Sequence, residues 1–536
     1  MKSERLVRLV LSAWAAVFFL VVVLLPLGAL FSEVLNNGSV NLFQDSVVVT
    51  VAKITFAQSV CSTGLSALFG LLIGTWLGKQ NFGRFSSVIE GLFLLPFGIP
   101  TVIVAGAWVS ILGRNGALSF LDWSYSLKAV ILAHAFLNIP WVSLLVYQAM
   151  KDLSKDQIEA ARTLGSGFFY EFLFLIWPKI RWAFANACCQ VFALCLMSFA
   201  IVLILGGGPP VQTLETELYG QLRNGGFSTG ISGAVNCALW ELILAMIPWF
   251  FLTCFQYLKN IKITHPIEVK ESVRGEKKLN IIYGVILGLI FLSPYFAVFN
   301  FEILSSTLKQ PNWWSEVREP LSVSLILAGS CSFLTVLTAC GAVILLGLSK
   351  TRRRYLALIS ILFSIPSGVS VMSLGLGLWL LYGRWLDSKF GNFVAILALQ
   401  TALFFPIVLR TLGPVAQFKR ADLFETAKLL GASPWRAFYW VEWPRWVGPI
   451  FSSLALVAGL SIGEVAAVSL FYDDSWVTLP VLANRWLRLY RFEQAELILV
   501  FLFVCSLFFV VGSFLLKNRF GNQYVKGSGK SPSTRL

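Results

Sequence analysis

The sequence predicts an all-α membrane protein of about twelve transmembrane helices, in two six-helix halves that enter the membrane in the same direction. Three observations predict this class: the composition, the lengths of the apolar stretches and an internal duplication. Of the 536 residues, 57% are hydrophobic and 13% are charged, whereas soluble proteins carry about 25% charged residues. Such a chain cannot cover a soluble core with polar surface. Its apolar content also excludes a disordered protein.

Twelve apolar stretches are long enough to cross a bilayer, because a helix needs about 20 residues to span the hydrocarbon core. Their approximate limits are 9–31, 52–78, 88–112, 128–150, 182–206, 231–258, 279–301, 320–348, 355–382, 392–414, 446–472 and 495–516. The first stretch follows Lys2, Arg5 and Arg8 without a convincing cleavage site after it. We therefore expect a retained membrane anchor rather than a signal peptide.

Lysine and arginine predict the orientation, since short cytoplasmic loops carry an excess of both. With the N-terminus inside, 31 of the 42 lysines and arginines fall in cytoplasmic segments and 11 fall outside. We therefore expect a multi-pass membrane protein with both termini in the cytoplasm. The predicted topology accounts for the net charge of +15. We therefore expect the basic residues to interact with the lipid bilayer and not with nucleic acid.

The two halves of the chain repeat each other. Pro96-x-Gly98 matches Pro366-x-Gly368 at an offset of 270, and residues 131–140 recur as 397–406 at an offset of 266. Each repeat has six spans, an even number, so the halves are parallel and related by a pseudo-two-fold axis along the membrane normal. Such an axis leaves a central path across the bilayer, which favours a transporter over a scaffold.

This duplication predicts the domain organisation. The predicted parts are a first half (1–258), a basic cytoplasmic linker (259–278), a second half (279–516) and a basic cytoplasmic tail (517–536).

The long cytoplasmic loop of the first half, 151–178, has a distinctive pattern. Glu159-Ala160-Ala161 is followed by Gly165, six residues after the glutamate, and the loop closes with Pro178. The pattern predicts a helix–turn–helix outside the membrane, in which the glycine ends the first helix in the left-handed conformation. We expect Pro178 to break the chain before the next span.

The second half has a loop of the same design at 415–444. Glu425-x-Ala427 precedes Gly431 by the same spacing, and Pro444 again lies thirteen residues after the glycine. The two copies predict two compact knobs on one side of the membrane. An interfacial amphipathic helix is the alternative interpretation, but the identical spacing in both halves favours a functional element.

The pattern resembles the EAA loop of ABC importer permeases, with Thr426 where the family prefers alanine. In that family the loop carries a coupling helix that docks into a separate ATPase subunit. The resemblance therefore implies a type I ABC importer permease fold in a bacterial inner (cytoplasmic) membrane. It also implies two copies of an ATPase subunit that bind ATP and Mg²⁺, and a periplasmic substrate-binding protein. The coupling residues that it implies are Glu159, Ala160, Ala161, Gly165, Glu425, Ala427 and Gly431.

Among permeases with two fused halves, the sequence is most similar to those for thiamine or thiamine pyrophosphate. The similarity is most specific in residues 131–140, in Leu205-Gly206-Gly207-Gly208-Pro209 and in Leu460-Ser461-Ile462-Gly463-Glu464. It implies import of thiamine or thiamine phosphates. A ferric-iron permease is the first alternative. An ion-coupled secondary transporter is the second alternative. Such a transporter would need carboxylates at the membrane centre, and it would not need the paired loops.

Polar residues inside the predicted spans are candidates for the substrate pathway. They are Glu464, Ser461, His134, Asn138 and Glu241. Glu464 is the first candidate, because the fixed positive charge of thiamine needs a counter-charge once water is removed. The alternative is that these groups hydrogen-bond between helices, which we favour for His134 and Asn138.

No catalytic or metal site is expected in this chain. It contains two histidines, His134 and His265, which are too few for a histidine-based metal site. Gly529-Lys530-Ser531 imitates the end of a phosphate-binding loop, but that motif requires glycine at the position of Tyr524. The sequence therefore predicts a non-catalytic subunit that binds no cofactor, with ATP hydrolysis on a partner.

Overall fold

The computed structural model describes most of the chain, with gaps mainly in loops and at the C-terminus. The described residues are 2–37, 45–80, 82–114, 116–151, 153, 155–208, 211–229, 231–259, 277–297, 299, 306, 313–348, 359, 361–386, 388–417, 423, 426–427, 429–472, 477–489 and 491–528. Within these ranges the chain forms helices and turns, with no β-strand. Most of the predicted linker and the last eight residues lie outside them.

Twelve α-helices lie in the described residues of the first half. They are α1 (Lys2–Phe19), α2 (Leu25–Asn37), α3 (Ser46–Lys79), α4 (Ser86–Gly98), α5 (Thr101–Leu112), α6 (Leu127–Met150), α7 (Lys155–Thr163), α8 (Phe168–Tyr170), α9 (Trp177–Leu196), α10 (Ala200–Leu205), α11 (Leu214–Thr229) and α12 (Ile231–Lys259). Side chains cap two of the long helices: Asp45 accepts from Val47 and Val48 N–H, and Ser126 accepts from Ala129 N–H. These caps satisfy backbone donors that would otherwise lack partners.

Nine described α-helices form the second half. They are α13 (Lys277–Phe296), α14 (Trp313–Leu348), α15 (Val371–Leu386), α16 (Lys389–Gln417), α17 (Pro434–Ala437), α18 (Trp443–Ser461), α19 (Ala466–Phe471), α20 (Leu479–Arg488) and α21 (Phe492–Ser528). The last helix continues into the predicted tail as far as Ser528. A short helical segment, Ile361–Gly368, precedes α15.

In the described residues, eight helices are long and apolar enough to cross a membrane, and two bent helix pairs raise the number to ten. The bent pairs are α4 with α5, at 86°, and Ile361–Gly368 with α15, at 105°. These ten elements correspond to ten of the twelve predicted spans. The bends coincide with Pro-x-Gly in each half, Pro96 to Gly98 and Pro366 to Gly368, where proline removes a backbone donor.

The remaining two predicted spans, 182–206 and 446–472, are not continuous helices. The first is interrupted between α9 and α10, and the second between α18 and α19. Neither meets the length and hydropathy requirements for a span. At these two places the predicted apolar stretch forms a broken helix, so the described residues contain up to ten candidate spans where about twelve were predicted. Hydropathy alone did not detect the breaks, because the residues that interrupt the helices are themselves mostly apolar.

The same three-helix core lies in both halves. Helices α3, α6 and α9 pack together in the first half, and α14, α16 and α18 pack together in the second. Glycines allow close approach between α3 and α6: a Cβ at Gly70 would lie 2.5 Å from Val142 Cβ, and one at Gly74 would lie 2.7 Å from Val146 Cβ. Small residues of this kind allow helices in a membrane to pack closely.

The first helix of each half packs against the opposite half. Helix α1 contacts α14, and α2 contacts α15, whereas α13 contacts α4 and α5. At the first contact, a Cβ on Gly341 would lie 2.1 Å from the carbonyl oxygen of Leu11, and Trp14 Nε1 donates to Thr338 Oγ1 at 3.1 Å. At the reciprocal contact, Gly288 approaches Leu92. The two halves, although sequential in the chain, are thus interlocked through exchanged helices.

Candidate coupling loops and translocation site

The first loop forms the predicted turn. Helix α7 carries Glu159, Ala160 and Ala161, and Gly165 ends it at φ +82°. Gly165 N–H donates to Arg162 O at 2.9 Å, and Ser166 N–H donates to Ala161 O at 3.1 Å. These two bonds define a Schellman motif, which terminates a helix with its last carbonyls satisfied.

The second loop repeats this backbone geometry. Gly431 has φ +84°, Leu430 N–H donates to Thr426 O, and Ala432 N–H donates to Ala427 O, both at 3.0 Å. The corresponding bonds in the first loop join Leu164 to Ala160 and Ser166 to Ala161. Glu425 lies outside the described residues. The positive φ at both glycines follows the sequence prediction for these two positions.

The prediction that Pro178 and Pro444 break the chain is wrong. Helix α8 continues through a π-helical turn, Glu171–Ile176, into α9, and α17 continues through Phe438–Glu442 into α18. Each proline occupies the first turn of the α-helix that follows. The wider π turn accommodates the missing N–H of proline and its clash with the preceding carbonyl.

The tips of both loops expose apolar side chains. Leu164 is 88% exposed and its repeat equivalent Leu430 is 83% exposed; Phe169 and its equivalent Trp435 are 68% and 73% exposed. Glu159 and Ala160 are also exposed, whereas Ala161 and Ala427 are half-buried. Apolar side chains clustered on an exposed projection mark a surface that binds a protein or a membrane.

Glu171 ties the first loop to the helix core. The Glu171 carboxylate, 3% exposed, lies 2.8 Å from Lys79 Nζ and accepts from Arg162 Nε at 3.0 Å. Burial alone would raise the pKa of Glu171, but the bonds to Lys79 and Arg162 outweigh burial and hold that pKa below its usual value. The repeat-equivalent residue in the second loop is Ala437, which has no carboxylate.

Polar pairs occupy the two helix interruptions at equivalent positions. At the break between α9 and α10, His134 Nε2 lies 2.7 Å from Ser198 Oγ. At the break between α18 and α19, Gln400 Nε2 donates to Glu464 Oε2 at 3.3 Å. Gln400 and Glu464 are the residues 266 positions after His134 and Ser198. The duplication therefore preserves a side-chain contact between the fourth span and the broken helix in both halves.

The side chains of His134 and Asn138 contact polar groups on neighbouring helices. His134 Nδ1 lies 3.2 Å from Gln58 Oε1 on α3. Asn138 Nδ2 donates to His134 O at 2.8 Å within α6, and it also lies 3.7 Å from Cys195 Sγ on α9. Both residues are 2% exposed. Their contacts have the form of the interhelical hydrogen bonds that we favoured for them.

Glu464 caps a helix. Its Oε1 accepts from Ala466 N–H at 2.6 Å and from Ala467 N–H at 3.2 Å, at the N-terminus of α19. Ser461 reaches the same cluster by donating to Gln400 Oε1 at 2.6 Å. These bonds satisfy the backbone donors at the start of α19 and compensate the carboxylate.

Replacing Glu464 distinguishes its capping role from a role in the pathway. We expect Glu464→Ala to destabilise the chain by about 1 kcal/mol, as loss of a helix cap does, and Glu464→Gln, which keeps an oxygen acceptor, to have a smaller effect. Thermal unfolding and substrate uptake would be measured on both variants. Lower uptake by Glu464→Gln at unchanged stability would instead place Glu464 in the pathway.

Glu241 lies where the two halves meet. Its Oε2 accepts from Ser370 Oγ and from Ser373 Oγ, each at 2.7 Å, at the start of α15 in the second half. Glu215, in the first turn of α11, is equally buried at 1% exposure. Glu215 was not among the candidates from the sequence, because Leu214-Glu215-Thr216-Glu217 resembles an ordinary polar helix start.

A cavity of about 730 Å³ lies at the end of the broken helices away from the loops. Both halves line it. Its polar lining includes Tyr125, Thr216, Tyr219, Arg223, Tyr472, Asn484 and Arg488. Arg223 donates to Tyr472 Oη, and its guanidinium lies 4.3 Å from the centroid of the Tyr472 ring. Two arginines beside tyrosine rings suit an aromatic ligand that carries a negatively charged group.

Within the described ranges, no group of three or more His, Cys, Asp or Glu side chains is placed to hold a metal ion.

Comparison with known proteins gives two matches to one family model. Residues 70–257 and 332–520 each match the family described as binding-protein-dependent transport system inner membrane component. One match falls in each half, which confirms the internal duplication.

Curated relatives cover most of the chain. The thiamine transport system permease protein of Haemophilus influenzae is 26% identical over 87% of this chain and 88% of its own length. The protein of the same name from Escherichia coli K12 is 25% identical over 90% of this chain and 92% of its own length. A probable sulfate transport system permease protein from Helicosporidium is 28% identical over 38% of this chain and 77% of its own length.

Proposed function

This chain belongs to the family of binding-protein-dependent transport system inner membrane components, and from that premise we propose that it is the permease subunit of an importer for thiamine or thiamine phosphates. Two copies of a separate ATPase would drive it, and a periplasmic binding protein would deliver the substrate. The chain itself would be non-catalytic and would bind no cofactor. The thiamine assignment is supported by the names of relatives that cover most of the chain.

One observation supports the proposal that the two loops couple the chain to the ATPase subunits. Two loops, one per half, turn at a glycine of positive φ with equivalent backbone bonds, and they expose apolar residues at equivalent positions. A pair of like surfaces, presented by parallel halves, suits a pair of like partners. Each ATPase subunit would contact one loop, so that closure of the ATPase pair would move both loops together.

We further propose that both termini and both loops lie in the cytoplasm. This orientation is supported by the excess of lysine and arginine in the segments that it places inside. A cysteine introduced at the exposed Gly167, which has no heavy atom within 4 Å of its ideal Cβ position, would then react with a membrane-impermeant reagent only from the cytoplasmic side. Reaction from the outer side of intact cells would refute the orientation.

Reconstitution tests the proposed function. The chain would be placed in proteoliposomes with its ATPase and its binding protein, and uptake of labelled thiamine would be measured with and without ATP. We expect uptake only when all three proteins and ATP are present. Uptake by the chain alone, driven by an ion gradient, would support the secondary transporter instead.

The cavity predicts which form of thiamine is favoured. Because Arg223 and Arg488 line it, we expect Arg223→Gln and Arg488→Gln to lower uptake of thiamine pyrophosphate several-fold relative to thiamine, since each removes a charge-assisted bond to phosphate. Arg485→Gln, on the same helix as Arg488 but outside the cavity lining, is the matched control. An equal effect on both substrates would contradict a phosphate-binding role.

A further inference from the structure

A pair of buried carboxyl groups lies between the outer cavity and the junction of the halves. Glu215 and Glu241 are each 1% exposed, and their carboxyl groups are close enough to interact with each other. Glu215 is adjacent in sequence to Thr216, which lines the cavity. Glu241 is bonded to Ser370 and Ser373 of the opposite half. The pair therefore lies beneath the cavity, at a contact that must open if the halves separate.

The pair has unmet bonding capacity. Glu241 Oε1 and Glu215 Oε2 are buried without a hydrogen-bond partner. Within the described residues, neither carboxylate forms an ion pair with lysine or arginine. Burial of an uncompensated carboxylate is costly, and two of them side by side repel each other. A single proton shared by the two carboxyl groups would relieve both problems while the halves remain closed.

The neighbouring Glu217 shows that the arrangement is specific to these two positions. Glu217 is also buried, at 7% exposure, but its Oε1 accepts from Gln221 Nε2 at 2.6 Å, one turn along the same helix. A buried carboxylate on α11 therefore has a local donor available. The carboxyl groups of Glu215 and Glu241 are neighbours instead, and Glu241 lies at the interface between the halves.

We propose that Glu215 and Glu241 bind the positively charged ring of the transported substrate during its passage between the halves. This inference rests on the proposed function. Separation of the halves would withdraw Ser370 and Ser373 from Glu241 and open the carboxyl pair towards the cavity. The thiazolium ring of thiamine carries a fixed charge and no N–H donor, so it is recognised by opposite charge rather than by hydrogen bonds. Two adjacent carboxylates supply that charge in a dry site, where it acts most strongly.

The test compares a charged substrate with a neutral one. Uptake of thiamine and of an isostere with a neutral benzene ring in place of the thiazolium would be measured in the reconstituted complex. We expect Glu215→Gln and Glu241→Gln each to lower the ratio of thiamine uptake to isostere uptake about tenfold, the effect of roughly 1.4 kcal/mol. The binding protein is the same in every assay, so a change in this ratio reports on the permease. Glu217→Gln is the matched control and should leave the ratio unchanged.

Each other outcome overturns the inference. An unchanged ratio in both variants would show that the pair does not recognise the substrate charge. An equal fall in uptake of both ligands, with lower thermal stability, would show a purely structural role. A wild-type complex that takes up no thiamine would reject the proposed function itself, which separates the two failures.

Discussion

Valine at both Gly165 and Gly431 is expected to abolish ATP-driven uptake while the membrane-embedded helices remain folded. Both glycines have positive φ, +82° and +84°, a conformation that costs other residues about 1–2 kcal/mol and β-branched residues more. Neither would meet another atom within 4 Å of an added Cβ, so backbone strain alone accounts for the effect. Relief of that strain would unwind the Schellman turns and displace the loop tips.

The effect would be measured as a loss of coupling between ATP hydrolysis and uptake, not as a loss of folding. In the reconstituted complex we expect ATP hydrolysis to lose its response to the loaded binding protein, and ATP-driven uptake to be lost. Gly167→Val is the matched control, because Gly167 also has open space around its Cβ position but lacks a positive φ. Normal uptake by the double variant would exclude these turns from energy coupling.

Alanine at Glu171 is expected to detach the first loop from the helix core. Glu171 accepts bonds from Lys79 and Arg162, and a hydrogen bond to a charged group contributes about 1.5–3 kcal/mol. Because Arg162 is 58% exposed and Lys79 is 21% exposed, solvent screening reduces this contribution, and we expect a loss of about 2 kcal/mol. Uptake per ATP hydrolysed should fall several-fold, since the loop would transmit its movement less directly to α3.

The control for Glu171 is another ion pair on the same face. Glu90 pairs with Lys151, but their side chains are 28% and 42% exposed, so Glu90→Ala should cost less than about 1 kcal/mol. Thermal unfolding and the ratio of uptake to ATP hydrolysis would be measured for both variants. Equal effects of Glu90→Ala and Glu171→Ala would show that the contacts of Glu171 with Lys79 and Arg162 have no particular role in coupling.

The loops were the part of the site best predicted from the sequence. A glycine at a fixed distance from a helix start has one common structural meaning, and the same spacing in both halves made the prediction specific. The π turns before Pro178 and Pro444 were missed, because a proline pattern alone does not distinguish a break from a widened helical turn.

The pathway was harder to predict, because it depends on which residues meet. Glu464 was chosen from the sequence for its charge, yet its oxygens are bonded to the N-terminus of α19 and to Gln400. Glu215 lies in a polar segment with no distinguishing pattern, and only the fold brings it against Glu241. The breaks within 182–206 and 446–472 were missed for a related reason: their polar contacts come from side chains remote in sequence, such as His134 and Gln400.

The exchanged helices have a consequence for biosynthesis. Helix α1 is synthesised before the rest of the first half, whereas its packing partner α14 leaves the ribosome only after the whole first half has been made. At about 5–20 residues per second, this interval lasts on the order of tens of seconds. During that time α1 has lipid or the insertion machinery as its neighbour, and the nascent first half lacks α13, which completes it. Assembly of either half is therefore a late event, completed when the second half has been synthesised.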